Sequence, residues 1–176
     1  MTITLLEENK VPDIRTAEAK AASTLQQLGI TRPPVNPIMV ARLLGYAVNG
    51  SIFWTPNMSG RVQKINGKIR IDVNAKDHPN RRNFTIAHEI GHALLHLQGI
   101  DDATISDPEY RWTASEDQSP YKEVEANRFA AALLMPPAWV RQAFETTKDI
   151  GSLAHTFEVS SDAMRFQLEK LGLIPK

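Results

Sequence analysis

The stretch HEIGHALLH, residues 88–96, places three histidines and one glutamate within nine positions. Apolar residues recur at helical spacing along and around it, which predicts an amphipathic helix over 78–98. Residues four apart on a helix lie about 6 Å apart along the axis and roughly 40° apart around it. His88 and His92 can therefore direct two imidazoles at one metal ion, while Glu89 can reach a water molecule on that ion. The alternative is a helix with a histidine-rich polar face and no ion.

The third metal ligand has to come from elsewhere in the chain. A tetrahedral catalytic zinc takes three protein ligands and keeps one open position. His96 lies about 12 Å along the helix axis from His88, so we expect it to be a supporting or packing residue. Glu123 and Glu125 follow on a later predicted helix, two positions apart, and only one of them can face the site. We favour Glu123, because Asn127 lies on the same helix stripe and could hydrogen-bond a histidine ring; Glu125 remains the alternative.

Composition limits the classes of function that the chain can have. It has 176 residues, no cysteine, and 20 basic against 20 acidic side chains. Without cysteine there is no disulfide, no thiolate nucleophile and no cysteine-bound zinc, so any metal must be held by histidine and carboxylate. The balanced charge gives no general attraction to nucleic acid or to an acidic membrane surface. No apolar run approaches the roughly 20 residues of a membrane-spanning helix, and no signal-peptide pattern is present, so we expect a cytoplasmic protein.

Two helices and a small sheet are predicted before the histidine-rich helix. The helices are expected over 15–29 and 37–44, each ending near a glycine. Residues 46–73 alternate apolar and polar side chains, which predicts about three antiparallel strands. Asn-Gly pairs at 49–50 and at 66–67 are expected to form hairpin turns.

The second half of the chain is predicted to be helical after a long loop. Residues 99–120 are rich in Asp, Ser and Pro, which indicates a loop. Helices are expected over 121–134 and 137–146, separated by a pair of prolines, and two short helices over 149–172.

We divide the chain into a metal-binding domain over 1–146 and a helical segment over 147–176 that resembles a helix-turn-helix unit. From Asp149 to Lys176 there are four acidic and three basic side chains. Proteins that bind DNA cluster Lys and Arg to neutralise phosphates. We therefore expect this segment to be a helical cap or a protein-docking surface, and direct DNA binding is not expected.

The motifs resemble those of a known family. RNFTIAHEIGHALLH, followed by EVEANRFAAALLMP, closely resembles the ImmA/IrrE family of zinc metallopeptidases, as do the preceding MSGRVQKINGKIRIDVN and the late LAHTFEVSSDAMRFQLEKLGLI. The likeness covers about residues 33–174. It implies an α+β fold: a minimal zincin-like domain with a small antiparallel sheet packed on the active-site helix, and a helical, helix-turn-helix-like C-terminal segment. In the family pattern the first glutamate of E-x-x-A-N is the ligand, which again selects Glu123.

The resemblance also implies a function. Such proteins are zinc-dependent endopeptidases that cleave or inactivate a helix-turn-helix repressor, often encoded nearby, in phage, mobile-element or stress-response circuits. Applied to this chain, Zn²⁺ is bound by His88, His92 and Glu123, and Glu89 is the general base.

Two points stay open at the level of sequence. The group that stabilises the oxyanion is not identified, and the candidates are Tyr110, Arg111, Tyr121 and His155. Two rival functions also remain, namely a non-catalytic antirepressor that sequesters its partner and a metal-dependent hydrolase of a non-peptide substrate.

Overall fold

The computed structural model describes residues 11–51, 58–108 and 120–176. It is an α+β structure, with seven helices and a four-stranded sheet in these ranges. The helices and strands follow one another as α1 (Ile14–Gln27), α2 (Pro37–Leu43), β1 (Ala47–Ser51), β2 (Met58–Ile65), β3 (Lys68–Asn74), α3 (Pro79–His96), β4 (Ala103–Pro108), α4 (Pro120–Leu134), α5 (Pro137–Thr146), α6 (Ile150–Phe157) and α7 (Ser161–Lys170). Within the described ranges, none of the helices combines the length and apolar character that crossing a membrane requires.

The sheet has the strand order β1-β3-β2-β4 and is mixed, not wholly antiparallel as predicted. β2 pairs antiparallel with β3 and with β4, whereas β1 pairs parallel with β3. The Asn66-Gly67 turn is confirmed, since both residues have positive φ, as a tight hairpin turn requires. The predicted turn at Asn49-Gly50 is wrong: these residues lie within β1 opposite Asp72 and Val73 of β3, and neither has positive φ.

Part of the predicted loop over 99–120 is a strand. β4 adds to the edge of the sheet through β2, with Ile105 opposite Val62. The strand was missed because it is short and contains Asp and Pro, residues that are depleted in strands. A bulge in β2 at Ser59 shifts the register between the two strands. Residues 109–119 of the predicted loop lie outside the described residues.

α3 lies at the centre of the fold, between the sheet and α4. Its N-cap is His78, whose side chain accepts a hydrogen bond from the Asn80 N–H, and Pro79 occupies its first turn. All residues from Thr85 to Ala93 are buried, including the polar ones. Buried polar groups need hydrogen-bond partners: His88 has Asn127 of α4, and His92 has His96 of α3 itself.

Gly91 lets α3 and α4 approach closely. A Cβ atom added there would lie 3.2 Å from Ala126 Cα and 3.1 Å from Phe129 Cδ1. Phe129 is fully buried, so it has little room to move aside. The absence of a side chain in the middle of the motif therefore sets the distance between the two helices.

The C-terminal helices share the main hydrophobic core. Leu153, Phe157, Met164 and Leu168 of α6 and α7 are buried in the same apolar cluster as α3 and α4. Glu158, with φ 54°, makes the turn between the two helices. The helix-turn-helix-like arrangement of this segment agrees with the prediction, whereas the division into domains at residue 146 stays a prediction.

Crowding at the helix crossing can be tested with a valine. Gly91→Val should lower the free energy of unfolding by about 1–3 kcal/mol, because the branched side chain over-packs the contact with Ala126 and Phe129. Gly151→Val is the matched control: Gly151 is exposed in the first turn of α6, and an added Cβ there would lie 3.3 Å from the exposed Asp149 carboxylate, so the change should cost less than that at Gly91. Urea unfolding of both variants measures the effect; equal stabilities would contradict the close crossing.

Candidate metal centre

α3 and α4 bring two histidines and one carboxylate together. His88 Nε2 and His92 Nε2, one turn apart on α3, lie 2.9 Å from each other. Glu123, in the first turn of α4, faces both: Oε2 is 3.3 Å from His88 Nε2 and Oε1 is 3.0 Å from His92 Nε2. The histidines are fully buried, while about a fifth of the Glu123 side chain is exposed. The two histidines thus lie deeper in the protein than the carboxylate.

This cluster has the dimensions of a metal site. One ligand atom from each of His88, His92 and Glu123 can be chosen so that all three lie within 4.8 Å of one another. Ligands about 2.0–2.1 Å from a tetrahedral zinc are about 3.3 Å apart, which is close to the separations observed. The three residues therefore fit a divalent metal ion with one position left for another ligand.

The hydrogen bonds of His88 set the ring nitrogen that faces the cluster. His88 Nδ1 lies 3.0 Å from Asn127 Oδ1, an oxygen that can only accept. The Nδ1–H therefore donates to Asn127, which leaves Nε2 as the ring nitrogen that faces the cluster. Asn127 lies one turn after Glu123 on α4, as the helix stripe predicted.

His92 is neutral near pH 7. Burial lowers its pKa to about 4, although the contact with Glu123 opposes the shift. Burial alone would raise the pKa of Glu123, but its contacts with His88 and His92 outweigh burial and keep that pKa well below its usual range. The cluster thus combines the neutral imidazole of His92 with the ionised carboxylate of Glu123. Lone pairs and negative charge placed this close together repel each other unless a cation lies between them.

The two candidate glutamates of α4 have different surroundings. Glu123 faces the cluster, whereas Glu125 Oε2 lies 2.9 Å from His96 Nε2. His96 in turn places Nδ1 2.9 Å from Nδ1 of His92, on the side of that ring away from the cluster. The structure therefore groups Glu123 with the two histidines and leaves Glu125 and His96 behind them.

Glu89 is fully buried and lies against the sheet. A Cβ atom added to Gly60 of β2 would lie 2.6 Å from Glu89 Oε1 and 2.5 Å from Thr85 Cγ2. β2 therefore contacts α3 through bare backbone at this point, next to the bulge at Ser59. The histidine-rich motif predicted Glu89, but nothing in the spacing of the sequence marked Gly60.

The arrangement provides the parts that metal-assisted hydrolysis needs. Two imidazoles and a carboxylate surround one point, and a second carboxylate, Glu89, is adjacent to the first ligand on the same helix. Of the candidate oxyanion-stabilising groups, Tyr121 is buried in the first turn of α4 and His155 is exposed on α6. Tyr110 and Arg111 lie outside the described residues.

Comparisons with known proteins agree with the motifs. Residues 39–169 match the model of a peptidase family, the IrrE N-terminal-like domain. The radiation response metalloprotease IrrE of Deinococcus radiodurans is 34% identical over 107 residues, which cover 58% of this chain and 31% of that protein. A solved structure described as a Mycobacterium tuberculosis transcriptional regulator has a similar fold, with a TM-score of 0.63, 19% identity, and coverage of 88% of this chain and 46% of that one. The chain thus spans about a third of the first protein and under half of the second.

The contact between Gly60 and Glu89 can be tested by a double-mutant cycle. Gly60→Ala should destabilise the protein by about 1–3 kcal/mol, because the methyl group overlaps the Glu89 carboxylate and Thr85. In a Glu89→Ala background the same change should cost at least about 0.5 kcal/mol less, since one of the two overlapping groups has been removed. Urea unfolding of the four proteins gives the coupling. An equal cost of Gly60→Ala in both backgrounds would show that the two residues are not in contact.

Proposed function

Because the chain belongs to the IrrE N-terminal-like peptidase family, we propose that it is a zinc-dependent endopeptidase that cleaves a partner protein. The observation that carries this proposal is the cluster of His88, His92 and Glu123, with the buried carboxylate of Glu89 adjacent to it in sequence on the same helix. Three ligands with an open position, and a separate carboxylate base, supply the groups that metal-assisted hydrolysis uses.

Zinc is the metal that best suits these donors. Two imidazole nitrogens and one carboxylate oxygen form a common catalytic zinc set, and three protein ligands leave one coordination position for water or substrate. Magnesium and calcium prefer sites made of oxygen ligands. When bound, zinc supplies a Lewis acid that polarises the substrate carbonyl and makes water more acidic.

Glu89 provides the proton transfers of the reaction. As general base it takes a proton from the water that adds to the peptide carbonyl carbon, and it then gives that proton to the amide nitrogen as the C–N bond breaks. The second proton of the added water also passes to the amine nitrogen, so the products are a carboxylate and a protonated amine. Gly60 helps by leaving room for the Glu89 carboxylate beside β2. Burial of Glu89 limits competing hydrogen bonds with bulk water.

The edge of the sheet offers a place for an extended substrate. β4 is an outer strand, and Asp107 lies opposite Gly60, the residue that contacts Glu89. Among the described residues no strand pairs with the other side of β4. A substrate segment could pair there by backbone hydrogen bonds, with β4 between it and Gly60.

The proposed partner is a helix-turn-helix transcriptional repressor encoded nearby. The support is the resemblance of the zinc-site motifs to the ImmA/IrrE family, together with similarity to a radiation response metalloprotease and, in fold, to a transcriptional regulator. Because the chain covers only part of each of these proteins, their activities are not transferred directly. The α6–α7 segment, without an excess of basic residues, is proposed to bind protein and not DNA.

Replacing the proposed base tests the chemistry. Glu89→Gln should reduce cleavage of the repressor at least about 100-fold, because general-base catalysis contributes roughly 10²–10⁴-fold. Its zinc content should remain that of the wild type, since Glu89 is not proposed as a ligand. Cleavage is followed by mass spectrometry of the two proteins mixed with zinc. Glu145→Gln, at an exposed position on α5, is the matched control and should cleave normally.

The same variant separates the proposal from its rivals. If Glu89→Gln cleaves like the wild type, Glu89 is not the base. If neither protein cleaves the repressor but both relieve repression in cells, the chain acts by binding alone. If EDTA abolishes an activity only on non-peptide substrates, the hydrolase class is right and the substrate class is wrong.

A further inference from the structure

A chain of hydrogen bonds connects the second proposed ligand to the start of the N-terminal helix. It runs from His92 through His96 and Glu125 to the backbone N–H of Asp13. The contacts measure 2.9 Å for His92 Nδ1 to His96 Nδ1, 2.9 Å for His96 Nε2 to Glu125 Oε2, and 2.7 Å for Asp13 N to Glu125 Oε1. His96 is 5% exposed and Glu125 is 11% exposed at the side chain, so water competes little for these bonds.

The direction of each bond follows from its two ends. A backbone N–H can only donate, so Glu125 Oε1 accepts from Asp13. A carboxylate accepts at its other oxygen too, so His96 Nε2–H donates to Glu125 Oε2. The neutral His96 ring then has an acceptor at Nδ1, to which His92 Nδ1–H donates. His92 is left with its lone pair on Nε2, the atom that faces the metal cluster.

We infer that His96 and Glu125 are positioning residues for the metal ligand His92, and that the first residues of α1 belong to the same support. This inference rests on the metal site of the proposed function. Partners behind a ligand histidine fix its tautomer and ring orientation and make it a stronger ligand. His88 receives this support from the neutral amide of Asn127, whereas His92 receives it from a charged carboxylate through a second imidazole.

The support from α1 comes from a segment that lies before the family match. α1 spans Ile14–Gln27, and the family match begins only at residue 39. Asp13 is the N-cap of α1, and its side chain accepts from the Thr16 N–H while its own N–H donates to Glu125. Capping therefore holds the backbone at Asp13 in the conformation that directs the N–H at the carboxylate. The packing of α1 on α4 therefore places the Asp13 N–H at the end of the hydrogen-bond chain that leads to His92.

The central test is the zinc affinity of variants at His96 and Glu125, measured by competition with a chromophoric chelator. His96→Leu removes both hydrogen bonds of the ring and should weaken zinc binding about 10–100-fold. His96→Gln should retain most of the affinity, because its carbonyl oxygen can accept from His92 and its amino group can donate to Glu125. Glu125→Gln should also weaken binding about 10–100-fold, since an amide cannot accept from both neighbours. Glu145→Gln is the control and should bind zinc as the wild type does.

Two changes at Asp13 isolate the contribution of α1. Asp13→Ala and Asp13→Pro both remove the capping carboxylate, but only proline removes the backbone N–H. Zinc affinity should therefore fall severalfold in Asp13→Pro relative to Asp13→Ala. Circular dichroism of the metal-free proteins establishes that each variant is folded at the temperature of measurement. The visible spectrum of the cobalt-loaded protein should change in His96→Leu and not in His96→Gln. A loss of stability alone would not change the spectrum in this way.

The outcomes distinguish this inference from the proposed function. If the wild type binds no stoichiometric zinc, the metal site itself is refuted. If the wild type binds zinc and His96→Leu and Glu125→Gln bind it with equal affinity, the metal site stands and the positioning role is refuted. If Asp13→Pro and Asp13→Ala bind zinc equally, α1 is not part of the support.

Discussion

The close crossing of α3 and α4 at Gly91 is the constraint on which the proposed metal centre depends. α3 supplies the two proposed ligand nitrogens, and no turn of the same helix can add a third. The missing side chain at Gly91 lets α4 approach within contact of the helix backbone, and one stripe of α4 then holds the His88 ring from both ends. Glu123 faces its Nε2 and Asn127 accepts from its Nδ1. The same motif thus supplies the two histidines and, at Gly91, the small residue that lets α4 pack against them.

The two proposed ligand histidines are held in the same orientation toward the cluster by different partners. Each has its Nδ1–H committed to a hydrogen bond and its Nε2 lone pair directed at the cluster. For His88 the partner is one amide, and for His92 the partner is His96, supported by Glu125 and α1. Buried imidazoles fixed in this way cannot rotate to satisfy each other, so three acceptor atoms remain together around one point. A cation between these acceptor atoms removes their mutual repulsion, which is the physical reason to regard the cluster as a metal site.

Much of this arrangement could be predicted from sequence, because helical periodicity and motif spacing are local. The positions of His88, His92 and Glu89 on one helix followed from the 3.6-residue repeat, and spacing together with the E-x-x-A-N pattern favoured Glu123 over Glu125. The parallel pairing of β1 with β3 could not be predicted, since an Asn-Gly pair in an alternating run is typical of a hairpin and its strand partner is distant in the chain. The contact of Gly60 with Glu89 could not be predicted either, because it joins two elements whose relative placement is determined only by the folded core.

Anomalous diffraction at the zinc edge, from crystals of the zinc-loaded protein, tests the proposed metal centre most directly. We expect one peak, with Nε2 of His88, Nε2 of His92 and a carboxylate oxygen of Glu123 each about 2.0–2.2 Å from the zinc ion. A peak ligated by His96 or Glu125, or no peak near these side chains at stoichiometric zinc, would contradict it.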